Sequence, residues 1–201
     1  MSDVEDIDDD VDVDEDDEAA PARRGVGPIV ASVGVLVVVA VLVVVLATRE
    51  PAADRLTDSP LLGHPAPAFS GPTLDGDSFS LSTAPGKVVF VNFLASWCVP
   101  CQQEHAALRA FSERHASIGD AEVVSVVYDD DTASVREYFA ERGGDWPVIV
   151  GDDGSIALDY GVLKVPETFV VAPDGTVLAR FAGAVTEQGL EAALARVEGT
   201  G

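Results

Sequence analysis

The pattern of hydrophobic and polar positions divides the chain into four stretches. Residues 1–25 are dominated by acids, 26–47 are uncharged and dominated by valine, 48–60 are polar with prolines, and 61–201 alternate apolar runs with polar turns. The last stretch has the length of one ordinary domain with its own core. We therefore expect a disordered tail, a membrane anchor, a linker and one folded domain.

The first two stretches differ in what they can bury. The first twenty residues hold twelve acidic side chains and no basic or aromatic one. Such a run repels itself and cannot form a core, so it predicts a disordered tail. The 22 residues from Val26 to Ala47 carry no charge. As a helix they reach roughly 33 Å, enough to span the hydrocarbon core of a bilayer.

The apolar stretch is predicted to be an uncleaved, single-pass anchor. It is longer than the apolar region of a usual signal peptide, and no clear cleavage site ends it. Basic residues flank it almost equally, with Arg23 and Arg24 before it and Arg49 and Arg55 after it, so the charge rule for orientation is nearly balanced. We expect the tail in the cytoplasm and the folded domain outside the cell membrane, partly because of the chemistry described below.

The folded stretch alternates strand and helix patterns. Strands are predicted at Lys87–Leu94, Ala121–Val127, Trp146–Val150, Thr168–Val171 and Val177–Phe181. Helices are predicted from Cys98 to His115, Thr132 to Arg142 and Thr186 to Val197, with Thr132 and Thr186 as N-caps. Asp75-Gly76 between short alternating runs predicts a hairpin at the N-terminal end. This order predicts an α/β fold with a mixed sheet flanked by helices.

Charge and cysteine content exclude several functional classes. The chain has 35 acidic and 12 basic side chains, a net charge of −23, which argues against a nucleic-acid partner because such proteins need a basic face. Two cysteines are too few for a disulfide-rich scaffold or a four-cysteine zinc site. The acidic domain suits a soluble monomer beside a membrane.

The two cysteines stand at a predicted strand-to-helix junction, in Trp97-Cys-Val-Pro-Cys. A helix N-terminus presents free N–H groups and the positive end of the dipole, which favours a thiolate. Pro100 is tolerated in a first turn, and residues three apart on a helix are close enough for a disulfide. Cys98, the nearer of the two to the start of the helix, is expected to attack a substrate, and Cys101 is expected to resolve the mixed disulfide.

Glu104 is a further candidate for catalysis. On a helical wheel it falls among Cys101, Ala107, Leu108 and Phe111, an apolar face on which a carboxylate is costly. Desolvation raises the pKa of such a group, so we expect Glu104 to exchange a proton with Cys101. The alternative is a partly exposed acid at the rim of the site.

Metal binding is an alternative use of the same cysteines. A copper or zinc carrier could combine Cys98 and Cys101 with His105, and with His64 or His115 as a fourth ligand. We nevertheless expect no metal, and we expect His105 to be a solvated surface residue.

Several motifs together resemble one known family. They are Asn92-Phe-Leu-Ala-Ser-Trp-Cys-Val-Pro-Cys-Gln-Gln-Glu-His, Tyr160-Gly-Val, Val165-Pro-Glu-Thr-Phe-Val-Val-Ala-Pro-Asp-Gly and Gly63-His-Pro-Ala-Pro-Ala-Phe. They resemble the TlpA-like branch of the thioredoxin superfamily, and within it the membrane-anchored cytochrome c biogenesis members. The similarity covers about Leu61 to Val197.

The resemblance implies a thioredoxin fold with a redox-active disulfide between Cys98 and Cys101 and no cofactor. It implies a cis peptide at Val165–Pro166 packed against the cysteines, and a substrate-binding surface that includes Trp97, Val165, Pro166 and Glu167. The Val165 backbone is expected to pair with an extended substrate segment. Thioredoxins have a buried Asp where this chain has Asn92, so the proton role is expected to shift to Glu104.

The same resemblance implies a task. Family members reduce protein disulfides outside the cytoplasm, notably in apocytochrome c before haem attachment, with electrons from a membrane-embedded donor. Some anchored relatives instead oxidise secreted proteins, and the sequence does not decide between the two directions. A peroxidase of the same superfamily is disfavoured, because Ala95-Ser-Trp-Cys lacks the Thr/Ser-x-x-Cys pattern.

Overall fold

The computed structural model describes residues 34–43, 54–83 and 86–199. Residues 34–43 form helix α1, whose side chains are exposed, in a unit apart from the one that spans Glu50–Gly201. Within the described ranges, no helix combines the length and the apolar character needed to cross a membrane. The predicted acidic tail, the remaining positions of the predicted anchor and the linker up to residue 53 lie outside the described residues.

A five-stranded mixed sheet forms the centre of the second unit. Its strands are β3 (Val88–Leu94), β4 (Ala121–Val127), β5 (Val148–Ile149), β6 (Glu167–Val171) and β7 (Val177–Ala182). The order is β5-β4-β3-β6-β7, in which β3 and β5 run parallel to β4 and β6 runs antiparallel to β3 and β7. Every residue of β3 is buried, as expected for a central strand covered on both faces.

Helices cover both faces of this sheet. They are α2 (Val99–Ile118), α3 (Thr132–Arg142), α4 (Ser155–Asp159) and α5 (Glu187–Glu198). Phe90 of β3 packs in one core with side chains of α2, α3 and α5, whereas Phe93 packs in a second core with side chains of α4. Alternation along β3 therefore assigns neighbouring residues to opposite cores.

Two short segments extend this framework. β1 (Ser70–Pro72) and β2 (Ser78–Ser80) form the predicted antiparallel hairpin around Gly76, and a 3₁₀ turn, Leu81–Thr83, follows. Residues 54–57 lie antiparallel along the outer edge of β7. The Asp54 backbone N–H donates to the Ala184 carbonyl at 3.0 Å, and the Thr57 backbone N–H donates to the Arg180 carbonyl at 2.9 Å. We call residues 54–57 the edge strap. The folded unit thus begins ahead of Leu61, where the sequence predicted a boundary.

The predicted strands and the three long helices are confirmed within a few residues of their expected ends. The N-cap of α3 is Asp131, not Thr132, because the Asp131 carboxylate accepts the N–H groups of Ala133 and Ser134 at 3.0 Å. Thr186 caps α5 as predicted. Helix α4 was not predicted.

Candidate active site

The two cysteines lie where β3 leads into α2. Cys98 is the N-cap residue of α2, and its Sγ accepts a hydrogen bond from the Cys101 N–H at 3.2 Å. The pair forms a disulfide with the Cα atoms 5.2 Å apart, and both residues are buried. After reduction, the helix dipole and this N–H favour the thiolate of Cys98.

Glu104 lies one helical turn after Cys101 and is only 2% exposed. Its Oε1 accepts a hydrogen bond from Asn92 Nδ2 and its Oε2 accepts one from the Val185 N–H, each at 2.9 Å. Both donors are neutral, so desolvation prevails and raises the pKa of Glu104 to about 8. The alternative of a partly exposed rim acid is therefore wrong.

A row of buried polar side chains on the sheet supports Glu104 through Asn92. Asn92 of β3 lies between Ser125 of β4 and Thr168 of β6 in the sheet register. Its Nδ2 also donates to Thr168 Oγ1 at 3.0 Å, and its Oδ1 accepts from Ser125 Oγ at 3.3 Å. Trp146 Nε1 donates to Ser125 Oγ at 2.9 Å. This row fixes the orientation of the Asn92 amide that faces Glu104.

The loop before β6 brings Pro166 to the same end of the sheet. Phe93 near the end of β3 is opposite Glu167 at the start of β6, so the residues preceding β6 lie where β3 leads to the cysteines. The Val165–Pro166 peptide is cis, as the resemblance implied. A groove of about 580 Å³ opens there, and its lining includes Pro100, Glu104, Val165 and Pro166.

Comparison with known proteins identifies the family. A family model described as Redoxin matches residues 61–194. The chain belongs to the Redoxin family. The thiol:disulfide interchange protein HelX of Rhodobacter capsulatus is 36% identical to this Redoxin chain over 143 residues, which cover 71% of each. DsbE of Pseudomonas fluorescens biotype C, also named a thiol:disulfide interchange protein, is 32% identical over 131 residues, 64% of this chain and 71% of that protein.

Solved structures agree with this assignment. A thiol:disulfide interchange protein DsbE from Chlorobium tepidum superposes with a TM-score of 0.60 at 30% identity, covering 66% of this chain and 97% of that one. The fold is therefore thioredoxin-like, as the resemblance implied. Together with the Cys98–Cys101 disulfide, the relatives identify the Redoxin chain as a thiol-disulfide oxidoreductase.

Trp97 directly precedes Cys98 of the disulfide in the Redoxin domain. The side chain is 57% exposed, and its Nε1 donates to the Asp129 carbonyl at 3.1 Å. Val99, on the other side of Cys98, is also exposed. A role of Trp97 in substrate binding stays a prediction, and its position beside Cys98 is compatible with it.

Glu167 does not share the surroundings of the cysteines. It is 1% exposed, and its two carboxylate oxygens accept hydrogen bonds from Arg180 Nη2 at 2.9 and 2.8 Å. Because Thr168 is paired with Asn92 on the α2 face, alternation along β6 directs Glu167 to the opposite face. Substrate binding by Glu167 stays a prediction, and its carboxylate oxygens are engaged by Arg180.

His105, one of the histidines considered as metal ligands, lies among aromatic side chains. His105 is 3% exposed and packs among Tyr138, Phe139 and Trp146, so the expectation of a solvated surface residue is wrong. Its Nε2 contacts the Gly143 carbonyl oxygen at 2.8 Å, and burial lowers the pKa of the ring. Among the described residues, no group of three or more His, Cys, Asp or Glu is arranged to hold a metal ion.

The sequence did not single out Ser125, Thr168, Trp146 or Val185 as parts of the site. Ser125 carries the clearest signal, since it is a hydroxyl within the apolar run Val123–Val127. Such a residue is costly in a buried strand unless it has a hydrogen-bond partner. Val185 contributes only its N–H, which no side-chain pattern indicates.

Proposed function

We propose that this oxidoreductase is tethered to the cell membrane by residues 26–47 and reduces protein disulfides outside the cytoplasm, with apocytochrome c as its substrate before haem attachment. The uncharged stretch supports the tether, and the resemblance to anchored cytochrome c biogenesis proteins supports the substrate. The observation that carries the direction is Glu104, a buried acid without a cationic partner among the described residues, one turn from Cys101.

In the first step, the Cys98 thiolate of the reduced enzyme attacks one sulfur of the substrate disulfide. The substrate S–S bond breaks, one substrate sulfur leaves as a thiolate and takes up a proton, and the other is joined to Cys98 in a mixed disulfide. Val165 makes no backbone hydrogen bond among the described residues. Its free backbone groups, beside the groove, suit an extended substrate segment added as a strand.

In the second step, Glu104 accepts the proton of the Cys101 thiol. The resulting thiolate attacks Cys98 Sγ, the mixed disulfide breaks, and the second substrate sulfur leaves and is protonated. Two electrons have passed to the substrate, and the Cys98–Cys101 disulfide has formed. A membrane-embedded dithiol protein then reduces this disulfide and restores the two thiols.

The mixed disulfide provides the test. Reduced Cys101→Ser protein, mixed with an oxidised Cys-x-x-Cys-His peptide, should accumulate a covalent adduct that mass spectrometry detects. The wild-type chain should release both peptide thiols, and Cys98→Ser should form no adduct. Failure of Cys101→Ser to trap the peptide would contradict the assigned roles.

Oxidation of secreted protein thiols is the second candidate. The Cys101 N–H and the helix dipole both stabilise the Cys98 thiolate, and stabilising the dithiol form makes a centre more oxidising. The reduction potential, measured against glutathione buffers, distinguishes the two directions. A reductase requires a potential below that of its substrate disulfide, and a higher potential would support the oxidant.

A further inference from the structure

Two cationic side chains of this domain, Arg55 and Lys164, lack the partners that the other described cations have. The described residues include nine Lys and Arg side chains, and seven of these have an ion pair, a hydrogen bond or another interaction. Arg55 and Lys164 are exposed and have no side-chain partner among the described residues. Unpaired cations are unexpected in a domain where acids from Leu61 onward outnumber bases by 20 to 8.

Both unpaired cations line the groove beside the disulfide. The groove also includes Pro100 of the cysteine helix and Pro166 of the cis peptide. Lys164 is two residues before Pro166, whereas Arg55 comes from the edge strap, on the other side of β7. Two distant parts of the chain therefore deliver positive charge to one small groove.

The backbone around Arg55 is fixed. The Arg55 carbonyl accepts a hydrogen bond from the Ala182 N–H at 3.0 Å, and Asp54 donates to the Ala184 carbonyl at 3.0 Å. The Asp54 carboxylate accepts the Thr186 N–H at 2.7 Å. The strap thus holds Arg55 at the groove, while its side chain is left without a partner.

We propose that the groove selects an extended, acidic segment of the substrate protein, whose carboxylate lies between Arg55 and Lys164 while the neighbouring disulfide reaches Cys98. This inference rests on the proposed function and adds a substrate class to it. The opposite rim is acidic: Trp97 Nε1 donates to the Asp129 carbonyl, and the Ser96 N–H donates to the Asp130 carboxylate. A carboxylate is therefore favoured on only one side of the substrate disulfide.

The test compares three peptides that share one oxidised Cys-Ala-Ala-Cys loop. One has Gln on both flanks, one has Glu before the loop, and one has Glu after it. Full-length reduced protein in detergent is mixed with each peptide, and the second-order rate constant is followed by tryptophan fluorescence. One of the two Glu peptides should react about two- to fivefold faster than the Gln peptide, the range expected from exposed charge pairs.

Replacing both cations supplies the decisive comparison. Arg55→Gln/Lys164→Gln should bring the Glu-to-Gln rate ratio to about one, and 0.5 M salt should do the same in the wild type because it screens exposed charges. Lys87→Gln, which removes one cation at the other end of β3, should keep the ratio.

Equal rates for all three peptides, or a preference that survives the double replacement, would overturn the selection of acidic segments and leave disulfide reduction intact. A wild type that reduces none of the peptides would overturn both this inference and the proposed function.

Discussion

Glu104 and Glu167 are both buried at the active-site end of the sheet, but on opposite faces and with different partners. Glu167 is bound by the Arg180 guanidinium at 2.8 Å. Glu104 has two neutral donors, Asn92 and Val185. One carboxyl is therefore matched by a full opposite charge, whereas the other is matched by dipoles only.

This difference separates a structural acid from one that can move a proton. A buried carboxylate with a bidentate Arg is a structural ion pair, because removing either partner leaves the other charge buried and unpaired. Glu104 has no such constraint, and burial raises its pKa to about 8. It can therefore gain or lose a proton near neutral pH, as a general acid or base must.

The largest expected effect is on the pH dependence of stability. The pKa of Glu104 is about 8 in the folded chain and near 4.5 when unperturbed, so its favourable contribution is complete below about pH 4.5 and lost as the pH rises through 8. The free energy of unfolding of the oxidised wild type, relative to Glu104→Gln, should fall by roughly 5 kcal/mol across this range. Urea denaturation at several pH values measures it.

Glu167→Gln is the matched control for that titration. Since Glu167 is held by Arg180, its replacement should not remove the decline of stability between pH 4.5 and pH 8. Parallel pH profiles for wild type and Glu104→Gln would show that Glu104 titrates normally.

The next effect concerns the ion pair itself. Arg180→Met leaves Glu167 buried without its cation, which should lower the free energy of unfolding by about 3 to 5 kcal/mol. Glu167→Gln/Arg180→Met should recover most of this loss, because no buried charge then remains unpaired. A single variant as stable as the double one would show that the pair is not a major structural element.

The smallest of the three effects is on catalysis. Glu104→Gln keeps the size of the side chain and one of its two accepting oxygens but cannot accept the Cys101 proton, so release of the second peptide thiol should slow by about 100-fold. Formation of the mixed disulfide should change much less. Stopped-flow mixing of the reduced protein with an oxidised peptide separates the two phases, and an unchanged second phase would remove Glu104 from the proton transfer.

Local patterns predicted those elements whose signals are long and regular. β3, α2 and β4 follow from apolar runs and helical spacing. Helix α4 has only five residues, and its N-cap residue, Gly154, has no side chain that could accept a hydrogen bond from the first turn, so its local signal is weak. The edge strap is polar in sequence and becomes extended only through its hydrogen bonds to β7, more than 120 residues away.

The same distinction applies to the site. The burial of Glu104 was predictable because its neighbours on the helix face, including Leu108 and Phe111, are local in sequence. The ion pair of Glu167 was not predictable, because its position next to Pro166 in the sequence does not determine which face of the sheet its side chain occupies. Its partner Arg180 comes from the next strand, and only the register of β6 and β7 brings the two together.

The edge strap also determines where a shortened form of the enzyme can start. A truncated chain beginning at Leu61, where the family match starts, exposes the N–H and C=O groups of β7 that residues 54–57 otherwise cover. Uncovered strand edges recruit other chains, so such a fragment should self-associate, whereas one beginning ahead of Asp54 should remain dispersed. The shorter fragment would also discard Arg55, and with it half of the positive charge beside the groove.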